Sequence, residues 1–413
     1  MHHLLSKEHD MTWKLSRYRT GDLVEVRSKA EILATLDQRG AADGMPFMPE
    51  MLQYCGRRFY VGAVAHKTCD TARQTWKARR LQATVHLAGL RCDGLAHGGC
   101  QAECNLFWKD EWLKPAIDMK DSSASTAAAM YGPTRECTEA QLLANTHLSS
   151  GVEGEEPRYS CQATEMYEAT QPLAWWDVRQ YVFDVVTGNH SAGRVLRVLF
   201  LASLRWMLSQ WDKHQHGFVV TGNHSAGRVL PVLFVALPRW LLAHVPCGYW
   251  LFKGFHDCMH QWLSGRPSPS LHGQIPDGAP TPTGRLDLKP GEFVRLKTQA
   301  EIEQTLHKDG KNRGLWFDPQ EMAPYCGRIV KVRKSVTKII DEPTGKMLHM
   351  KQPCIMLEGV VCKAEYASDR LNCPRAISSY WREIWLERVE DDHRAHDEPN
   401  PLKDATVHAG GAA

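Results

Sequence analysis

Hydrophobic and polar positions alternate over Leu23–Arg27, which predicts a short strand with one buried face. The spacing then changes: Lys29–Leu36 reads as a short helix. Ser28 stands just before it and Glu31 follows three residues later, the spacing of a capping box. Gly40 and Gly44 break the chain, Arg57–Val61 and Ala83–Leu90 predict further strands, and Trp108–Leu113 reads as the start of a helical end piece. The Trp pair at i, i+4 is best read as core.

The same succession recurs near the C-terminus. Gly21-Asp22-Leu23-Val24-Glu25-Val26 aligns with Gly291-Glu292-Phe293-Val294-Arg295-Leu296, and the match runs on through Ala30-Glu31-Ile32 and Ala300-Glu301-Ile302. Tyr54-Cys55-Gly56-Arg57 meets Tyr325-Cys326-Gly327-Arg328, and Trp108 and Trp112 meet Trp381 and Trp385. Two divergent copies of one module are therefore expected at 21–116 and 290–390. The expected fold is α+β, mainly β: two small SH3-like β-barrel modules with helical appendages, joined by a partly helical middle segment. A different small α+β sandwich is the competitor.

Between the modules, 117–170 is expected as a linker or loose surface and 171–263 as a helical segment. The latter holds a tandem duplication, 185–208 and 219–242, in which Val185–Leu196 recurs unchanged at Val219–Leu230. Arg194, Arg197 and Arg205 fall near one face of an apolar helix. That pattern fits peripheral contact with an anionic membrane through 194–245, or plain packing on the modules. Pro231, Pro238 and Arg239 argue against a spanning helix. Residues 264–289, rich in Pro, Gly and Ser, read as a flexible linker; 1–20 and 391–413 read as tails.

Composition changes little. The 413 residues suit two or three domains, and a formal charge of +3 without a basic run argues against a nucleic-acid partner. The N-terminal stretch lacks an apolar core, so no secretory signal is expected and a cytoplasmic location is. There, thirteen cysteines point to thiols, metal ligands or catalysis more than to disulfides.

The cysteines carry the candidate chemistry. The first module holds Cys55, Cys69, Cys92, Cys100 and Cys104, and the second holds Cys326, Cys354, Cys362 and Cys373. Cys55 aligns with Cys326, Cys92 with Cys362 and Cys100 with Cys373. A set of four thiols per module would suit tetrahedral zinc or an iron–sulfur cluster, with His66 and His97 in reserve. No C-x-x-C knuckle occurs, and buried core cysteines are the competing reading. Cys137, Cys161, Cys247 and Cys258 lie outside the modules and read as bland. His97-Gly98-Gly99-Cys100 allows either a close ligand approach or a tight turn that brings Cys100 to a metal. Arg57 and Arg328 read as carbonyl partners or anion binders.

The segments Gly21–Arg27, Pro46–Val61, His66–Thr71, Leu90–Cys104 and Phe107–Leu113, with Cys354–Cys362 and Trp381–Leu386, resemble a family of bacterial proteins with cysteine-rich tandem modules. The resemblance implies a bacterial source and assigns no activity. Three functions compete: a metal-binding accessory or interaction protein that docks an unknown protein partner; a metal- or thiol-dependent enzyme with its site in the first module; and a nucleic-acid- or ribosome-associated protein. The extra thiols Cys69 and Cys104, with His66 and His97, favour the second. The near-neutral charge disfavours the third.

Overall fold

The computed structural model describes residues 13–116, 137–148, 156–215, 248–264, 270–276, 278–365 and 370–389. The expectations for 1–12, for the second duplicated copy at 219–242, for Cys247 and for the 391–413 tail lie outside the described residues. The fold is mixed α/β with more strand than helix. It divides into two compact units: Met1–Pro269 with Lys338–His349 and Cys362–Ile377, and Ser270–Thr337 with Met350–Val361 and Ser378–Ala413.

In unit one, β1 (Leu23–Val26) leads into α1 (Lys29–Leu33). The capping box is present: the Glu31 backbone N–H donates to Ser28 Oγ at 3.4 Å, and the Ser28 N–H donates to Glu31 Oε2 at 2.9 Å. Two amide donors of the first turn are thereby satisfied, which lets so short a helix hold. The chain continues through β2 (Arg58–Val64), β3 (Lys67–Cys69), β4 (Ala78–Arg80), β5 (Thr84–Arg91), β6 (Asn105–Lys109) and β7 (Leu113–Pro115). One antiparallel sheet has the order β6-β5-β2-β1-β7, with Val24 opposite both Phe59 and Pro115. Irregular register between Val61 and Ala63, and between His86 and Arg91, curls this sheet into a half-barrel.

The expected helical end piece is instead strand, one 3₁₀ turn and strand, because Trp108 lies on β6 and Asp110–Trp112 forms the turn. The change of direction still aims both indoles inward. Trp108 and Trp112 are fully buried, and Phe47 meets Trp112 edge-on at 5.1 Å.

The segment expected as a linker contributes to the interior where it is described. α2 (Glu139–Ala144) and the chain around Met166 place Cys137, Leu142 and Met166 in the core beneath the sheet. β8 (Gln171–Pro172) adds to β4 and β3 in a three-stranded sheet. α3 (Arg179–Val186), α4 (Ala192–Gln215) and α5 (Gly248–Ser264) follow. On α4, Val195, Val198, Leu201 and Leu204 are buried at helical spacing, while Arg194 pairs with Glu365 at 2.7 Å. Among the described residues no helix is long and apolar enough to cross a membrane.

In unit two, β9 (Phe293–Leu296), α6 (Gln299–Glu303), β10 (Ile329–Ile340), β11 (Met347–Val361), β12 (Ser378–Trp381) and β13 (Leu386–Arg388) form a sheet in the order β12-β11-β10-β9-β13. Val294 faces both Val330 and Arg388, the register that Val24 has in unit one. Thr298 and Glu301 repeat the capping box, and Phe317 meets Trp385 edge-on at 5.7 Å.

Candidate functional site

Four thiols line one cavity of unit one. Cys92 directly follows β5, Cys100 and Cys104 lie on the loop before β6, and Cys161 comes from the chain that enters the 3₁₀ turn Thr164–Tyr167. Met48, Leu106, Ala163 and Ile340 supply apolar walls. At about 30 Å3 the space exceeds what one water requires.

Local backbone chemistry fixes the sulfurs. The loop turns on Gly94, whose carbonyl accepts from the His97 N–H at 3.0 Å and the Gly99 N–H at 2.9 Å. Gly94 has φ +72°, and a Cβ there would lie 2.0 Å from the Cys100 carbonyl oxygen. Only glycine fits this turn, and the turn delivers Cys100 to the cavity. The Cys92 N–H donates to the Cys104 carbonyl at 2.9 Å, which closes the loop base. The Ile340 N–H donates to Cys100 Sγ at 3.3 Å.

His97 steadies the loop, and both of its ring nitrogens are engaged there. Its Nδ1 is 2.6 Å from Glu50 Oε1 and its Nε2 is 3.0 Å from the Ser160 carbonyl. Burial, with Glu50 nearby, pushes the Cys92 thiol far above its ordinary value; burial, with Glu342 nearby, does the same at Cys104. Burial lifts Cys161 to about 11. As free thiols these three are protonated and unreactive, and a bound cation is what would ionise them. Among the described residues, no group of three or more His, Cys, Asp or Glu side chains is arranged to hold a metal ion.

A second thiol group lies elsewhere in unit one. Cys69, at the end of β3, and Cys373 are both buried, with Cys362 packed against them. Arg375 donates to the Cys69 carbonyl at 3.3 Å, to Thr71 Oγ1, and to Glu342 Oε1 at 3.0 Å. Next along β3, buried Lys67 pairs with buried Asp184 of α3 at 2.7 Å. His66 Nε2 lies 3.3 Å from the same carboxylate and 3.1 Å from the Gln180 carbonyl. Burial pushes His66 and Lys67 down; at Asp184 burial is outweighed by Lys67 and His66, which hold the carboxyl low.

The aligned cysteines therefore occupy different settings. Cys92 and Cys100 share the cavity, whereas their counterparts Cys362 and Cys373 join Cys69. Cys55, Cys326 and Cys354 stand apart: the charged groups acting on them are Lys29 and Glu139, Glu301, and Arg382 respectively, and none is a thiol. Arg57 and Arg328 sit over the Tyr54 and Tyr325 rings, at 5.8 and 5.5 Å. Cys161 was not singled out by the sequence. No spacing marks it, since its three partners lie on a separate stretch of chain. No protein-family model matches the chain, and no curated protein is detectably similar to it.

Proposed function

We propose that unit one is an iron–sulfur protein whose cluster is bound by Cys92, Cys100, Cys104 and Cys161, and that the chain serves as a cluster-bearing accessory protein. One observation carries this reading: four thiols, three from the Cys92–Cys104 stretch and one from Cys161, line a single, largely apolar cavity. A single tetrahedral zinc needs all four sulfurs about 2.3 Å from one point. A polynuclear cluster takes one thiolate per iron at its corners and tolerates sulfurs held further apart. Cys69, Cys362 and Cys373 are outside this ligand set because they do not line the cavity. We read the two five-stranded sheets, with their shared order and register, as two copies of one SH3-like module. Among the described residues, the four-thiol cavity lies in the copy in unit one.

The test is anaerobic purification of the full chain with iron and acid-labile sulfide assays and an absorption spectrum. Iron with matching sulfide, lost in Cys92→Ser and Cys161→Ser but kept in Cys55→Ser, supports the reading. Zinc without sulfide, or iron unaffected by Cys161→Ser, overturns it.

A further inference from the structure

The Cys69–Cys373 pair differs from the cavity thiols in partner, charge and protonation. Cys69 and Cys373 are buried in one cluster, with Cys362 packed against it. Buried Arg375 is tied to the Cys69 carbonyl, Thr71 and Glu342, so its guanidinium is fixed beside the pair. Packing alone does not require a guanidinium within a thiol cluster, since desolvating one costs several kcal/mol unless something anionic answers it. Glu342 supplies one negative charge, and a thiolate at Cys69 would supply a second.

From this juxtaposition we infer that Cys69 and Cys373 form an oxidisable dithiol whose substrate is a small hydroperoxide, with Cys69 the attacking and Cys373 the resolving sulfur. The site is separate from the proposed cluster and does not rest on that reading. The Cys69 sulfur attacks the terminal peroxide oxygen: an S–O bond forms, the O–O bond breaks, and the departing alkoxide takes the proton that Cys69 gave up and leaves as alcohol. The Cys373 sulfur then attacks Cys69 Sγ: the S–S bond forms, the S–O bond breaks, and hydroxide leaves as water with the Cys373 proton. Two thiols are oxidised by two electrons, and one hydroperoxide is reduced to alcohol and water. An external thiol resets the pair.

Two features support this assignment of roles. Among the described thiols with a resolved shift, Cys69 alone is pushed down, by the Cys373 thiol packed with it, with burial opposing and Arg375 and Arg370 adding to the effect. The Cys373 thiol is raised, as suits the proton donor. The exposures of Cys69 and Cys373, 3% and 7%, favour a small oxidant over a bulky disulfide.

The experiment treats reduced full-length protein with equimolar hydrogen peroxide, then maps peptides by mass spectrometry without reduction. The expected product is a Cys69–Cys373 linked peptide pair with two thiols lost per chain. In Cys373→Ser the reaction should stop at a Cys69 sulfenic acid captured by dimedone, and Cys69→Ser should give neither product. Iron is assayed on the same samples, so cluster loss and disulfide formation are read separately. Absence of the linked peptide in wild-type protein, or dimedone labelling spread evenly over the cavity cysteines, overturns the inference. The wild-type measurement stands even if a variant fails to fold.

Discussion

Replacing Lys67 with Met keeps the length of the side chain and removes its charge, which leaves Asp184 without its closest counterion. The pair lies at 2.7 Å with both side chains essentially inaccessible. At an effective dielectric of about 20, the Coulomb attraction at that distance is about 6 kcal/mol, most of it offset by the cost of desolvating both ions. The pair's net worth is therefore small, but orphaning one member is expensive, about 3–5 kcal/mol. A second route bounds the figure. An orphaned carboxylate escapes by taking a proton, and from the ordinary value of 3.8 that costs about 4 kcal/mol at pH 7. His66 offers a cheaper proton site 3.3 Å from the same carboxylate. In Lys67→Met the folded state would then bind a proton through the His66–Asp184 pair more tightly than the unfolded chain does. The variant removes the Lys67 charge that, with burial, holds the wild-type His66 value down, so the unpaired Asp184 carboxylate is expected to lift the pair's proton affinity above the unfolded histidine value of 6.5; that contribution is complete below 6.5 and fades as pH rises past the pair's own value. Thermal unfolding at several pH values is the assay. Near pH 8 the expected loss is about 4 kcal/mol, a fall in Tm of roughly 10 °C, shrinking toward pH 6. The double change Lys67→Met with Asp184→Leu should recover most of the loss. A loss under about 1 kcal/mol, or one of constant size across this pH range, would refute the reasoning.

Three further outcomes follow from the same geometry. Gly94→Ala puts a Cβ against the Cys100 carbonyl at φ +72°, so a loss of at least about 2 kcal/mol is expected, with displacement of Cys100 read as lost iron on metal analysis. Trp112→Ala empties the position that Phe47 packs on edge and should cost about 3–5 kcal/mol in denaturation, with a matching result for Trp385→Ala in unit two. Burial pushes His86 down to about 4, its Nδ1–H donating to the Leu106 carbonyl at 2.9 Å. Its contribution to stability is therefore whole above pH 6.5 and drains by roughly 3 kcal/mol as pH falls toward 4, a slope that His86→Gln should flatten in acid-unfolding curves.

Local features of the fold were legible in the sequence. The alternation at Leu23–Arg27, the Ser28–Glu31 cap and the strands over Arg57–Val61 and Ala83–Leu90 depend on neighbours a few residues away, and all appear in the structure with ends shifted slightly. Trp108–Leu113 misled because a spacing of four suits a helix, while a strand followed by one 3₁₀ turn returns two indoles to the same core. The cavity was legible in part: Cys92, Cys100 and Cys104 lie close in sequence, but Cys161 reaches them only through tertiary packing. Alignment of the two copies paired Cys373 with Cys100 and gave no hint of Cys69, since the contact depends on the segment Cys362–Ile377 belonging to unit one. Asp184, the partner of Lys67, and Glu342, the partner of Arg375, carry no sequence signal for the same reason.

The most direct test of the central claim is iron and acid-labile sulfide content of anaerobically purified full-length protein, compared with Cys161→Ser. The account predicts iron and sulfide in equal amounts, a broad visible absorption near 400 nm typical of thiolate-bound clusters, and loss of all three in the variant. Protein that holds neither iron nor sulfide, or holds them equally well without Cys161, would contradict it.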